Sequence, residues 1–317
     1  MAEQCQSSPI VHYVTESKMP IVPFGELMKQ AERGGYAVGY FESWSLESLQ
    51  AVADAAEAMR SPVILGFSGL YLPHPRRVVR ERLSLYAALA NEACRRLSVP
   101  ACTIFNESPN LDWVMEAIEL GFGLVMFSDD RLGFDDQVAR IGKVVARAHR
   151  ASVAVEGELG ATPGLAGRLT EVPEDLRPTD PETARDFVQR TGIDALAVNV
   201  GQVHLHGRGK VRLNLSRLSE LREAVPVPLV LHGASSVRPE DLREAIRRGI
   251  RKVNVGKAIK EAYFGALRDA CASAGSDYNP YTVVGSGLGG DVLVAARVAM
   301  QKVVEDMMRL FGSAGKA

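Results

Sequence analysis

No run of this 317-residue chain stays apolar for the ~18 residues a membrane span requires, so a helical membrane protein is not expected. A charge excess is missing too. The 37 Lys and Arg against 38 Asp and Glu leave a net charge of -1, with no basic surplus to neutralise phosphates. Nucleic acid is therefore not the expected partner. Cysteine is sparse: Cys5, Cys94, Cys102 and Cys271 show no CxxC pair or regular spacing, and Cys102, inside an apolar run, reads as a buried thiol. A reducing cytoplasm is the expected compartment. The opening MAEQCQSSPIVHYVTESK has no charged start followed by an apolar stretch, so no secretory leader is expected. No GxGxxG follows the first strand-like run, which weakens the case for a doubly wound dinucleotide fold. Nor does a linker of biased composition divide the chain. One domain is expected, since α/β barrels routinely exceed the usual domain length.

What is present is alternation. Eight short β-type runs recur: AVGYF (37–41), PVILGF (62–67), ACTIF (101–105), GLVMF (123–127), SVAVEG (152–157), ALAVNV (195–200), PLVLH (228–232) and KVNV (252–255). Several are continuously apolar, as strands buried on both faces must be. Amphipathic stretches at 45–59, 134–150, 180–192 and 238–249 lie between them, with Ser45 as a cap, Pro181 and Pro239 in first turns, and Gly192 and Gly249 just past last turns. This is the signature of a single-domain (β/α)8 TIM barrel over residues 1–317. A helix at 24–34 would cap the barrel bottom, and 292–312 would be a terminal helical extension. The stretch 159–179, rich in Gly, Pro and Thr, is expected to be a lid over the site, since a loop of that length is usually functional or mobile.

Such a barrel keeps its chemistry in the loops beyond the strand C-termini. There this chain collects Glu42, Ser68, Asn106, Glu107, Asp129, Glu158, His204, His206, His232, Asn254 and Lys257. That is more polar material than core packing needs. Two imidazoles with one or two carboxylates form a donor set for zinc, iron or manganese. His204 and His206 compete for one of the two imidazole positions. HGASS (232–236) and NVGKAIKEAY (254–263) read as anion sites, because a Gly-containing turn entering a helix points backbone N–H groups outward. Gly233, Ser235, Asn254 and Lys257 would serve there. GSGLGG (285–290) follows no clear strand and reads as a flexible loop.

In order and at proper spacing, several segments resemble the class II, metal-dependent fructose-bisphosphate and tagatose-bisphosphate aldolases. They are GYAVGYFESWSLESLQAVADAAEAMRSPVIL, VEGELG, TDPETARDFVQRTGIDALAVNVGQVH, LVLHGASSV, KVNVGKAIKEAY and LFGSAGKA. The resemblance spans nearly the whole chain. It implies a metal-dependent lyase with His204 and His232 as metal ligands, Glu158 near a second or alternative metal position, and zinc as the first candidate ion. It further implies that Gly207 and Lys210 contact a phosphate or other anion, with Ser68, Gly233, Ser235, Asn254 and Lys257. A sugar or sugar-phosphate substrate and a homodimer or homotetramer are expected.

The chain departs from the family's HxDH motif after strand three. The catalytic aspartate position holds Asn106 and the metal histidine position holds Glu107. An amide cannot donate and recover a proton as a carboxyl does. Glu42, Glu171 in the expected lid, or Asp129 would have to move that proton. Glu107 can still ligate, giving a two-His, one-carboxylate set. The expected activity is a C–C bond cleavage or formation next to a ketose carbonyl, through a metal-stabilised enediolate. A metal-dependent sugar epimerase or isomerase, and a non-catalytic sugar-phosphate-binding protein, are the alternatives.

Overall fold

The computed structural model describes residues 21–160, 177–203 and 209–317. Eight parallel strands close into a barrel in sequence order. They are β1 (Val38–Phe41), β2 (Val63–Ser68), β3 (Ala101–Ser108), β4 (Leu124–Phe127), β5 (Ala154–Leu159), β6 (Ala195–Val198), β7 (Leu229–Leu231) and β8 (Ile250–Val255), and β8 pairs back onto β1. The helices among the described residues are α1 (Phe24–Gly34), α2 (Leu46–Met59), α3 (Leu83–Arg96), α4 (Leu111–Glu119), α5 (Phe134–Arg150), α6 (Pro181–Thr191), α7 (Leu215–Ala224), α8 (Pro239–Arg247), α9 (Lys257–Ala274), α10 (Pro280–Val283) and α11 (Val292–Phe311). The (β/α)8 expectation holds. None of these helices is long and apolar enough to cross a membrane.

Helix starts follow local chemistry. Ser45 and Ser48 form a reciprocal capping box on α2, Asn110 caps α4 and Asp180 caps α6 with Pro181 in its first turn. Because side chains alternate along each strand, the barrel has two cores. Outward residues such as Phe41, Phe105, Leu196 and Val253 pack under the helices. Inward residues Val38, Tyr40, Ile64, Ile104, Leu124 and Val230 share a second cluster with Phe24, Leu27, Met28 and Ala31 of α1, which fills one end of the barrel. The opposite end is left for polar side chains. α11 packs along α2 and α9, and Phe311 stacks on Phe41 with ring centroids 6.1 Å apart.

Candidate active site

The inward alternation selects the polar residues at the open end. Glu156 and Glu158 lie two apart on β5, and both face the interior while Gly157 turns out against Ile193. Lys252 and Asn254 repeat the pattern on β8. His232 follows Leu231, so it falls on the same side as the inward Val230. Asn106 lies two beyond the inward Ile104. Simple alternation would then send Glu107 outward, beneath the helices. Instead the β3–β4 register shifts between Phe105 and Ser108, and Glu107 adopts φ +50°. Asn106 and Glu107 thus both line one cavity of about 270 Å³. A positive φ at a non-glycine residue costs of order 1–3 kcal/mol and is found where surrounding structure enforces it.

At the floor sits a buried relay. The Nε2 of His232 lies 2.8 Å from Glu156 Oε1, and the other oxygen of Glu156 is 2.7 Å from Lys252 Nζ. His232 is 2% exposed, and Glu156 and Lys252 are fully buried. Lys252 also donates to Asn254 Oδ1 at 2.6 Å, and Asn254 Nδ2 donates to Asn106 Oδ1 at 3.5 Å. Burial would raise the Glu156 carboxyl, but the adjacent Lys252 ammonium and His232 hold it below its ordinary value. An ionised Glu156 fixes the His232 ring so that Nε2 carries the hydrogen and Nδ1 points into the cavity.

That Nδ1 lies 2.6 Å from Glu107 Oε1 and 3.7 Å from Glu158 Oε1. Glu158 accepts from Ser128 Oγ at 3.1 Å, and burial raises its carboxyl pKa. Burial alone would favour a neutral His232 ring. The attraction of Glu107, with Glu156 and Glu158, outweighs it and pushes the His232 pKa up to about 10. A proton on Nδ1 thus stands between two carboxylates that a divalent cation would serve together.

Among the described residues, no three His, Cys, Asp or Glu side chains form a closed coordination cage. The donor chemistry still suits a divalent ion. One buried imidazole nitrogen faces two carboxylates, and its other nitrogen is held by a third, the arrangement that orients metal-binding histidines. Ligands of one zinc ion stand about 3.4 Å apart, from bond lengths near 2.1 Å in tetrahedral geometry. The 3.7 Å spacing to Glu158 matches that, and Glu107 would have to withdraw slightly from Nδ1.

Around this centre the cavity is cationic on one side. Lys257 and Lys260 line it with Ser68, Gly233, Ser235 and Gly256. Lys260 Nζ is 2.5 Å from Glu42 Oε1. Burial raises the Glu42 carboxyl pKa despite that ammonium. Gly256 permits the approach of Glu42, since a Cβ there would lie 2.6 Å from its Oε2. Gly233 sits at φ +65°, in the turn entering a short 3₁₀ segment. Lys210 donates to Ser235 O at 2.6 Å, and its pKa is lowered by burial and by the neighbouring Lys257 ammonium. The Ser235 hydroxyl, read from sequence as a ligand group, accepts from Ala258 N at 3.2 Å and so caps the first turn of α9.

The expected residues do not all converge. Asp129 lines a different cavity and is gripped by Arg131, whose Nε is 2.7 Å from Asp129 Oδ1. That hydrogen bond holds the Asp129 carboxyl below its ordinary value, so it stays ionised and suits proton delivery poorly. His204, His206, Gly207 and Glu171, and residues 161–176 of the expected lid at 159–179, lie outside the described residues. Sequence reasoning missed Lys252, Lys260 and Tyr40. Lys252 was legible as the inward partner, two residues before Asn254, in an otherwise apolar strand. Lys260 lies one helical turn beyond Lys257. Tyr40 sits in a run that reads as core, yet its hydroxyl is buried and unpartnered among the described residues, beneath Lys252 Nζ at 5.3 Å from the ring centroid.

Known proteins carry the same arrangement of sequence. The family described as fructose-bisphosphate aldolase class-II matches residues 22–316. A fructose-bisphosphate aldolase of Thermus caldophilus is 33% identical, over 92% of this chain and 98% of its own length. A probable fructose-bisphosphate aldolase of Bacillus subtilis is also 33% identical, over 94% of this chain and all of its own. Among solved structures, the YdjI aldolase of Escherichia coli K12 superposes with a TM-score of 0.75 at 26% identity, covering 94% of this chain and all of that one. With a family match over residues 22–316 and relatives 33% identical over nearly their whole length, the chain belongs to the class II fructose-bisphosphate aldolase family.

Proposed function

We propose that this chain is a metal-dependent aldolase-like lyase that makes or breaks the C–C bond next to the carbonyl of a ketose carrying an anionic, phosphate-like group. The observation that supports it most is the His232 nitrogen held toward Glu107 and Glu158 by a buried Glu156–Lys252 pair. Glu107 and His232, with His204, would hold the ion, and Glu158 would serve a second or alternative position. Zinc is the proposed ion, since the set mixes imidazole and carboxylate. When bound, the ion supplies Lewis-acid stabilisation of the negative charge that develops next to the carbonyl.

The chain's own residues do the rest. Lys257 and Lys210, with the turn at Gly233, would anchor the anionic end. Asn106, tied to Asn254, would orient a substrate hydroxyl but cannot take its proton. Glu42 is the proposed proton carrier. It lines the cavity, and its raised pKa moves it toward the working pH where acid–base exchange is efficient. We further propose a cytoplasmic homo-oligomer, a dimer or tetramer, acting in carbohydrate metabolism.

The test is solvent deuterium exchange into dihydroxyacetone phosphate by the zinc-loaded protein, run beside condensation with an aldehyde. Exchange together with a new C–C bond is expected. Exchange and epimerisation without any C–C product would replace the lyase reading with an isomerase. Binding without exchange would leave a sugar-phosphate-binding protein.

A further inference from the structure

A second cavity of about 740 Å³ opens beyond Glu107 and Leu70, which line both, against 270 Å³ for the first. Small-molecule pockets run from about 300 to 1,000 Å³. The first lies just under that range and the second well inside it. A chain bound with its reacting carbons at Glu107 and His232 therefore has a short arm in the first cavity and a long arm in the second.

The two arms meet different charge. The first cavity sets Lys257 and Lys260 against Glu42 and Glu107 and is balanced. The second has five carboxylates on its described wall, Glu107, Asp112, Asp129, Asp130 and Glu158, against two guanidiniums. Arg131 is ion-paired with one of those carboxylates, and Arg140 acts on the same carboxylate through charge alone. Arg131 contacts Asp129 with two nitrogens, at 2.7 and 2.9 Å, and the charge of Arg140 also helps hold Asp129 ionised. The N-terminus of α4 reaches the rim, where a free helix start would invite an anion. Here the Asn110 side chain accepts from Trp113 N at 3.2 Å, and the Asp112 carboxylate already stands in the first turn. Proline rings at Pro73, Pro75 and Pro109 add apolar wall against which C–H faces can pack. A bound divalent ion would offset only part of the negative charge.

We infer that the second cavity takes the aldehyde half of the substrate, and that this half is an uncharged polyhydroxylated chain longer than three carbons. The substrate would then be anionic at one end only, unlike a bisphosphate. The inference rests on the aldolase reading above and narrows it.

The zinc-loaded protein is assayed for condensation of dihydroxyacetone phosphate with uncharged four- and five-carbon aldoses and, in parallel, with glyceraldehyde 3-phosphate. Each rate is corrected for the open-chain fraction of the aldehyde. The uncharged acceptors are expected to show a kcat/KM at least tenfold higher. Equal or better use of glyceraldehyde 3-phosphate overturns the inference. Deuterium exchange into dihydroxyacetone phosphate needs no acceptor, so exchange with a phosphorylated preference sinks this inference alone. No exchange and no condensation sinks the aldolase reading beneath it. In a folded Asp130→Lys variant, the ratio should move toward the phosphorylated acceptor by threefold or more, and an unmoved ratio contradicts the assignment of the cavity.

Discussion

At the scale of single residues, the centre depends on groups that never touch a substrate. Glu156 acts through His232, fixing its ring, and Lys252 keeps Glu156 ionised. Loss of such a support costs 10–100-fold in metal affinity. It also leaves a buried ammonium unpaired, worth about 3–5 kcal/mol. Glu156→Gln is therefore expected to lower both zinc affinity and stability, while Glu156→Gln with Lys252→Met recovers the stability and not the affinity. Titration with a zinc chelator and urea unfolding separate the two, and a double variant that regains affinity would refute the positioning role. Tyr40 gives a simpler case. A buried hydroxyl without a partner carries a desolvation penalty of about 1–3 kcal/mol. Tyr40→Phe should raise the urea midpoint of the metal-free protein, and a lowered midpoint would show that the hydroxyl is satisfied in solution. Neither Tyr40 nor the inward turn of Glu107 was legible in sequence. An aromatic in an apolar run reads as core, and strand alternation assigns Glu107 to the outer face until the register shift reverses it. Glu158, His232, Asn106 and Asn254 were legible, because each lies at or just beyond the end of an apolar run and on its inward phase.

At the scale of elements, the β-runs were readable because barrel strands buried on both faces must be continuously apolar. The helices at 24–34, 45–59 and 134–150 stood out because each pairs an apolar stripe with a cap, a charged first turn or a basic last turn. α3, α4 and α7 were passed over. α4 and α7, though capped by Asn110 and Asn214, are short, and α3 follows an irregular loop and starts without a capping side chain. The loop between β4 and α5 is held by the Asp129–Arg131 pair, which gives it a pH signature. Asp129 has its folded pKa depressed below 3.8, so its contribution to stability is present above that value and is lost as the pH falls through the folded pKa. The stability gap between the wild type and Asp129→Asn should be widest near neutral pH and close as the pH falls through the depressed folded pKa. Urea unfolding across that range checks it, and a gap independent of pH would show that the pair adds nothing.

At the scale of the whole molecule, the barrel separates its duties by end. α1 fills one mouth with Phe24, Leu27, Met28 and Ala31, all buried, and the other mouth gathers charge. The architecture and the family were both legible from order and spacing, since eight alternations leave few other folds open. The chemistry was legible only in part. The resemblance implies an aspartate and a histidine where this chain has Asn106 and Glu107, a change that would alter the proton path while leaving a metal donor in place. The buried imidazole between carboxylates gains its logic from a cation, and an ion that binds the folded chain alone would stabilise it further.

The most direct measurement is the metal content of the purified protein, by elemental mass spectrometry without added metal, beside Glu107→Ala prepared in the same way. About one zinc, iron or manganese per chain in the wild type, lost in the variant, is the result this account predicts. A wild-type chain that is empty, and stays empty after incubation with those ions, would contradict it.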